Sequence, residues 1–410
     1  MKSKMFEQYI EEFGVLVTLI VSVFMTALSA EFLVYPKILE SRKDDGSLVI
    51  HVHPGLTLTL EKSTILAPKV YFRASLLEDS HAVVLDGEEL EKDLYHNSDH
   101  MSSLIIQRTG SGIKVQGILN HRQRIAPVGT NFRISDENIP HQIYEIQERS
   151  SHQTGDISED TESSNIMTDD YLTTEQINAT QSALGVFLVE TCIVASRNYS
   201  SYFNTTEELV TYIAAMLNSV ALIFAEMGSP AIKFQLNEVM NISDEKLFGN
   251  LTCGESENKL THKPNITVCG FDAEESLNKT RDYVNMCVAA HCDVVYHITG
   301  AELTFIQNGT LSTNIVGYAK IGGVCTELKY GIGEDTPHTY LGLATMAHEL
   351  GHLLGADHDG YSEAENCSNN HGNLMSTLHK GMQNRSKLSA CTQEAIGTHH
   401  ITCSVHKRER

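Results

Sequence analysis

Five residues with chemically useful side chains lie in one short stretch of the C-terminal half. Residues 345–360 read TMAHELGHLLGADHDG and contain His348, Glu349, His352, His358 and Asp359. On a helix, residues four apart lie about 40° apart around the axis, so His348 and His352 point the same way and can bind one metal ion. Glu349 follows the first histidine, where its carboxylate can take a proton from a water held at the metal without binding the ion itself.

The third histidine requires the chain to turn back. Gly355 predicts that the helix ends there, because glycine adopts the left-handed backbone conformation at little cost, and the chain then returns His358 as a third ligand. Three neutral imidazoles leave one position of a tetrahedral zinc ion open, as catalysis requires. In a chain with 20 histidines, five fixed positions match by chance on the order of once in 10⁴ such chains. The motif predicts one catalytic zinc ion.

The motif resembles the metzincin metalloprotease signature. Asp359, directly after the third histidine, resembles the mark of the reprolysin (adamalysin, M12B) family, whose tick salivary branch is the nearest resemblance we expect. Residues 372–376 (GNLMS) are similar to the family's Met-turn, which places Met375 beneath the zinc ion. Residues 316–325 (VGYAKIGGVC) are similar to the strand that pairs with an extended substrate. The resemblance covers residues 183–403.

The resemblance implies a metalloendopeptidase with defined roles for these residues. Glu349 would be the general base, and Asp359 would support the site through a hydrogen bond to nearby backbone or to a ligand-bearing segment. Gly317, Tyr318 and Ala319 would pair with the substrate backbone, which gives modest side-chain selectivity. The implied substrates are extracellular matrix or clotting proteins, and we expect a monomer.

The elements around the motif predict an α/β fold. An apolar run at residues 184–189 and the segments 231–241 and 293–299 are typical of strands, and residues 273–289 of a helix. A long helix is expected to begin at Thr205 or Thr206, with Glu207 and Glu208 in its first turn. This order predicts a zincin-like domain with a mixed, mainly parallel sheet.

The preceding half of the chain has a different composition. Residues 14–30 form an uncharged apolar run that ends in small residues, so we expect a signal peptide at residues 1–30, with an uncleaved anchor as the alternative. Short alternating segments such as 47–53, 56–60 and 69–73 predict strands, so residues 31–177 are expected to form a β-rich propeptide. It ends in the acidic linker 147–177, and the catalytic domain is expected at residues 178–410.

Cysteines and glycosylation signals share one boundary. All nine cysteines lie at or after Cys192, and all ten Asn-x-Ser/Thr sequons lie at or after Asn178. Glycans and disulfides both form in the secretory lumen, so a secreted protein is expected, with no membrane segment after signal removal. Because no cysteine precedes Cys192, a propeptide cysteine cannot silence the zinc, and no Arg-x-Lys/Arg-Arg site stands between residues 150 and 185. An acidic residue such as Asp156 is a candidate for latency.

The remaining cysteine and ligand assignments rest on resemblance or proximity. The family resemblance pairs Cys325 with Cys403 and Cys367 with Cys391. Proximity suggests Cys253 with Cys269 and Cys287 with Cys292. These pairings leave Cys192 over, which makes it a buried free thiol unless the proximity pairings are wrong. His371, His379, His399 and His400 have no metal-site spacing and are expected at the surface. The family's calcium site retains Asp293, but Gly185 and His406 stand where Glu and Asn are expected, so support for calcium is weak.

The chain is strongly acidic. The formal charge of −22 and the pI near 5.3 argue against nucleic acid and anionic membranes as partners. A catalytically idle binding protein is one rival, but binding alone needs no general base at Glu349. A structural zinc domain is the other, and the open coordination position argues against it.

Overall fold

A computed structural model of the chain describes eleven stretches of it. They are residues 32–41, 46–74, 82–110, 112–128, 139–146, 185–256, 266–287, 292–307, 310–324, 326–378 and 384–408. The predicted signal peptide and the acidic linker lie outside these residues, as does Asp156. Strands and helices alternate after residue 185, which confirms the mixed α/β class.

The described residues 32–146, named here the N-terminal unit, consist mainly of strands. Burial alternates along its strands, as in Leu48–His53, because one face packs on a core and the other meets solvent. The elements are β1 (Phe32–Val34), β2 (Lys37–Ser41), β3 (Leu48–His53), β4 (Leu56–Lys62), β5 (Leu66–Arg73), β6 (Val83–Asp86), α1 (Gly87–Glu91), β7 (Leu94–Asn97), β8 (Ser102–Thr109), β9 (Gly112–Ile118), β10 (Gln123–Pro127) and β11 (His141–Glu145). Nine of these strands form one sheet in the order β1-β11-β10-β9-β8-β7-β4-β3-β2.

The described residues 185–408, named here the C-terminal unit, carry the metal motif. Their elements are β12 (Val186–Ser196), α2 (Arg197–Ser200), α3 (Thr206–Phe224), β13 (Ala231–Ile242), α4 (Asp244–Leu247), β14 (Thr252–Ser256), β15 (Ile266–Asp272), α5 (Ala273–Cys287), β16 (Val294–Thr299), β17 (Leu303–Gln307), β18 (Thr310–Ser312), β19 (Gly317–Ala319), β20 (Tyr330–Glu334), α6 (Leu343–Leu353) and α7 (Ala390–Arg408). The strands β13, β12, β16 and β20 lie side by side and parallel, and β19 closes that side of the sheet antiparallel to β20. Strands β14, β15, β17 and β18 form a smaller separate sheet.

Helix α3 forms the centre of the core. It begins as predicted, with the Thr205 hydroxyl oxygen accepting the Glu208 backbone N–H at 3.1 Å. The helix is apolar and long enough to cross a membrane, but 78% of its most apolar window is buried inside the fold. It packs against β13, α6 and β8. We therefore interpret α3 as the core helix against which α6, the helix of the metal motif, packs.

The two units share one sheet, which the division of the sequence into units did not anticipate. Strand β5 of the N-terminal unit pairs parallel with β13, so the main sheet of the C-terminal unit continues as β13-β5-β6. The Leu236 backbone N–H donates to the Ile65 carbonyl at 2.7 Å. The Arg73 guanidinium forms an ion pair with Glu238, whose side chain is fully buried. The N-terminal unit thus covers an edge that the C-terminal strands leave open.

The structure corrects one predicted disulfide. Cys292 bonds to Cys192, with a Cα–Cα distance of 5.8 Å, so pairing of Cys292 with Cys287 is wrong and Cys192 is not a free thiol. The reason is topological: β12 pairs with β16, which brings Cys192 beside the residue that precedes β16. Cys253–Cys269 and Cys367–Cys391 are both bonded. The side chains of Cys287, Cys325 and Cys403 lie outside the described residues.

Replacing both Cys192 and Cys292 by serine should lower the free energy of unfolding by about 2–5 kcal/mol, because this bond closes a long loop in the unfolded chain. Denaturant unfolding of the full chain measures the loss. Removing Cys253 and Cys269, which are only 16 residues apart, is the matched control and should cost less. A linked peptide containing Cys287 and Cys292 under non-reducing conditions would contradict this pairing.

Candidate metal centre

The metal motif begins on helix α6, whose N-terminal end is held by a buried carboxylate. Asp335 accepts the Gly342 backbone N–H at 2.8 Å and the hydroxyls of Tyr199 and Tyr212 at 2.7 and 2.8 Å. Burial raises the pKa of Asp335, and the hydrogen bonds oppose that rise. A carboxylate at this end also interacts favourably with the helix dipole. Sequence analysis did not identify Asp335, because its partners are distant in the chain.

The helix ends as Gly355 predicts. Gly355 has φ +106°, and its N–H donates to the His352 carbonyl at 2.8 Å. The Ala356 N–H donates to the Gly351 carbonyl at 3.0 Å, a pairing typical of a glycine-terminated helix. A Cβ at Gly355 would lie 2.7 Å from the Cβ of His399 on α7. The reversal therefore needs glycine both for its backbone angle and for space.

The structure brings the three predicted ligands together in the protein interior. The Nε2 atoms of His348 and His352 are 3.1 Å apart, and those of His348 and His358 are 3.2 Å apart. A tetrahedral zinc ion with Zn–N distances of about 2.0–2.1 Å separates its nitrogen ligands by about 3.3–3.4 Å. Among the described residues this is the single group of three or more His, Cys, Asp or Glu side chains that could hold an ion. The donor set fits zinc.

Backbone carbonyls orient two of the imidazoles. The Nδ1 of His348 lies 2.7 Å from the Leu374 carbonyl, and the Nδ1 of His352 lies 2.8 Å from the Ala356 carbonyl. A carbonyl only accepts, so both Nδ1 atoms carry the proton and both Nε2 lone pairs face the shared point. These hydrogen bonds orient both rings as ligands.

Glu349 lies between the ligands and the edge of the sheet. Its side chain is almost fully buried, and a Cβ at Gly317 on β19 would lie 2.6 Å from its Oε1. The same Cβ would lie 2.6 Å from the Thr345 methyl group, so the absence of a side chain at position 317 makes room for both. The predicted base and the predicted substrate strand are therefore in direct contact. Gly317, Tyr318 and Ala319 make up β19.

Met375 packs against helix α6, and Asp359 is bonded to the turn that carries Met375. A Cβ at Gly351 would lie 2.7 Å from the Met375 sulfur, so the thioether packs under α6. The Asp359 N–H donates to the Met375 carbonyl at 3.0 Å, and the Asp359 carboxylate accepts the Ser389 hydroxyl at 2.6 Å. Burial raises the pKa of Asp359. Asp359 thus joins the third ligand loop to the Met375 turn and to the residue preceding α7.

Other predicted positions have mixed outcomes. His371 is exposed, as expected, but His399 is half-buried against Gly355, which is contrary to the surface position expected for it. The side chains of His379, His400 and His406 lie outside the described residues. Asp293 accepts the backbone N–H of Glu190 at 3.0 Å, so its acidic neighbour is Glu190, a residue that sequence analysis did not single out.

Comparisons with known proteins agree with this geometry. The family model Reprolysin_5, described as metallo-peptidase family M12, matches residues 188–387. A venom metalloproteinase antarease-like protein of Tityus trivittatus is 25% identical over 76% of this chain and 78% of its own. Venom metalloproteinase BumaMPs1 of Olivierus martensii is 27% identical over 78% of this chain and 76% of its own. A disintegrin and metalloproteinase with thrombospondin motifs 18 of Mus musculus is 28% identical over 51% of this chain and 15% of its own.

Gly355→Ala should destabilise the protein by about 1–3 kcal/mol and weaken metal binding, because alanine is strained at this backbone angle and meets the chain of α7. Thermal unfolding and metal titration of the full chain measure the two effects. Gly228→Ala is the control, since a Cβ there meets nothing within 4 Å. Equal behaviour of the two variants would show that the reversal does not depend on glycine.

Proposed function

We propose that this reprolysin-type metalloendopeptidase, which matches family M12 over residues 188–387, is a secreted, zinc-dependent enzyme that cleaves extracellular proteins. Matrix and clotting proteins are the proposed substrates. The observation that carries the proposal is the convergence of three buried imidazoles beside a buried carboxylate, Glu349. The disulfides and the venom metalloproteinase relatives support an extracellular location.

His348, His352 and His358 would hold the zinc ion. When bound, zinc supplies a Lewis acid that polarises the scissile carbonyl and lowers the pKa of a water molecule toward 7. The imidazoles contribute neutral nitrogen ligands, held in place by the Leu374 and Ala356 carbonyls. Because all three side chains are buried, little bulk water competes for the ligand atoms.

Glu349 is the proposed general base. Its position one residue after His348 places the carboxylate beside the ligand set, and its contact with β19 places it where an extended peptide would lie. The carboxylate takes a proton from the attacking water and delivers it to the departing amine. Burial excludes competing water and strengthens the electrostatic interaction of the carboxylate with the reacting groups.

The substrate is proposed to bind as an added strand along β19. This strand is the last of its sheet, and among the described strands only β20 pairs with it. Gly317 pairs with Gly333, so neither neighbour projects a side chain between the substrate backbone and Glu349. Main-chain hydrogen bonds to an added strand recognise any peptide backbone, which suits a protease of modest side-chain selectivity.

The N-terminal half is proposed to be a signal peptide, residues 1–30, and a propeptide, residues 31–177, that is removed on activation. The clustering of all cysteines and sequons after position 177 supports a boundary there. The pairing of β5 with β13 supports a propeptide that packs on the catalytic domain and shares its sheet. The catalytic domain is proposed to span residues 178–410, and to act as a monomer.

Glu349→Gln should retain stoichiometric zinc and lose about 10²–10⁴-fold in peptide hydrolysis, whereas His352→Ala should lose the metal. The measurements are zinc content by mass spectrometry and cleavage of a denatured protein mixture, with and without a chelator, before and after limited trypsin treatment of the full chain. Glu363→Gln changes an exposed glutamate and serves as the control. Normal hydrolysis by Glu349→Gln, or no zinc in the parent protein, would refute the mechanism.

Gly317→Ala should lower kcat at unchanged zinc content, because the new methyl group occupies the space of the Glu349 carboxylate. We expect a loss of about 10-fold or more, which corresponds to about 1.4 kcal/mol of transition-state stabilisation. Gly185→Ala, where a Cβ meets nothing within 4 Å, is the matched control. Unchanged kcat in Gly317→Ala would show that the position of Glu349 does not depend on the missing side chain at residue 317 of β19.

A further inference from the structure

A second pocket lies between the N-terminal and C-terminal units. This partly open cavity is bounded by residues near β9 and β10, by α3, and by the start of α6, and most of its surface is apolar. Its polar lining consists of His121, Arg124, Ser219, Arg385 and Ser386. Among the residues that line it, two are arginines and none is an aspartate or glutamate, while burial lowers the pKa of His121. The cavity is therefore suited to a negative guest.

Arg124 is the central cation of this cavity. Its side chain is 1% exposed. The guanidinium donates through one terminal nitrogen to the carbonyls of Asn120 and Gln123, at 2.8 and 3.1 Å, and through the other to the Tyr340 carbonyl at 3.2 Å. Its Nε–H, also buried, has no acceptor among the described residues. All three acceptors are neutral carbonyls, so none of these hydrogen bonds joins the guanidinium to a carboxylate.

The buried acid Asp335 does not bond to Arg124. Asp335 interacts with Arg124 only through space, and its two carboxylate oxygens already accept two tyrosine hydroxyls and the Gly342 N–H. Burial lowers the pKa of Arg124 to about 10, which still leaves the guanidinium protonated at neutral pH. A buried cation without a counter-charge is costly, and an unsatisfied buried donor in a native fold is commonly explained by a bound ion or water.

We propose that this cavity binds a small monovalent inorganic anion, of which chloride is the simplest, that accepts the Arg124 Nε–H. The hydroxyls of Ser219 and Ser386 can donate to the same ion. The cavity is lined by both units, so a bound anion stabilises their docked arrangement. This role is separate from catalysis and does not depend on zinc.

Thermal unfolding of the full chain tests the proposal. Replacing sodium gluconate by sodium chloride or bromide at constant ionic strength should raise the Tm saturably, by about 2–5 °C at 0.2 M, because an ion bound by the folded state alone shifts the unfolding equilibrium. Arg124→Met should abolish the shift. Arg122→Met, which removes an exposed arginine that pairs with Glu145, should keep it. The same Tm in all three salts would overturn the proposal.

A second variant covers the case in which Arg124→Met does not fold. Ser219→Asp places a carboxylate in the cavity as a tethered substitute for the ion, so its Tm in gluconate should match or exceed that of the parent, and its halide dependence should disappear. A halide shift of parental size in Ser219→Asp would place the ion elsewhere and refute the site. In crystals grown with bromide, an anomalous peak near Arg124 Nε supports the proposal, and a peak-free cavity contradicts it.

Discussion

The catalytic unit depends on the meeting of three imidazole nitrogens at one buried point. Two of the rings come from a single helix and one from the chain that returns after it. The requirement that each ring be neutral and fixed in direction accounts for several surrounding features. The Leu374 and Ala356 carbonyls accept hydrogen bonds from the Nδ1–H groups of His348 and His352, Gly355 reverses the chain, and Met375 packs under the helix. A displaced ring would leave a buried polar nitrogen without a partner, which is costly in itself.

The surroundings of the site are built from buried polar groups that are satisfied in pairs or triplets. Asp335 gathers two tyrosine hydroxyls and a backbone N–H at the start of α6, and Asp359 links the third ligand loop to Ser389. Such networks rigidify a site when every member is satisfied. They hold both ends of the metal motif, so the ligand geometry is set before a metal or substrate arrives, as efficient catalysis requires.

The N-terminal unit is structurally continuous with the catalytic sheet. It supplies strand β5, and Arg73 at the end of that strand forms an ion pair with the buried Glu238. It also supplies the buried Arg124, which donates to the Tyr340 carbonyl near the start of α6. Strand β5 lies near the opposite edge of that sheet from β19. Arg124 donates to the Tyr340 carbonyl, the Tyr340 N–H donates to the Tyr212 hydroxyl, and that hydroxyl donates to Asp335. Separation of the N-terminal unit from the catalytic unit would uncover a sheet edge and buried charged groups, both of which carry a free-energy cost.

The sequence by itself predicted the metal ligands and the proposed base and determined the helix end, because these depend on spacing within a few residues and on the backbone freedom of glycine. It also determined α3, since its cap and apolar periodicity are local. Only the tertiary structure decided the Cys192–Cys292 bond, the docking of β5 on β13, the tyrosine partners of Asp335 and the hydrogen bond from Arg124 to the Tyr340 carbonyl. These contacts join residues about a hundred or more positions apart, and which of them meet follows from the order and register of strands in the sheet, which local patterns do not encode.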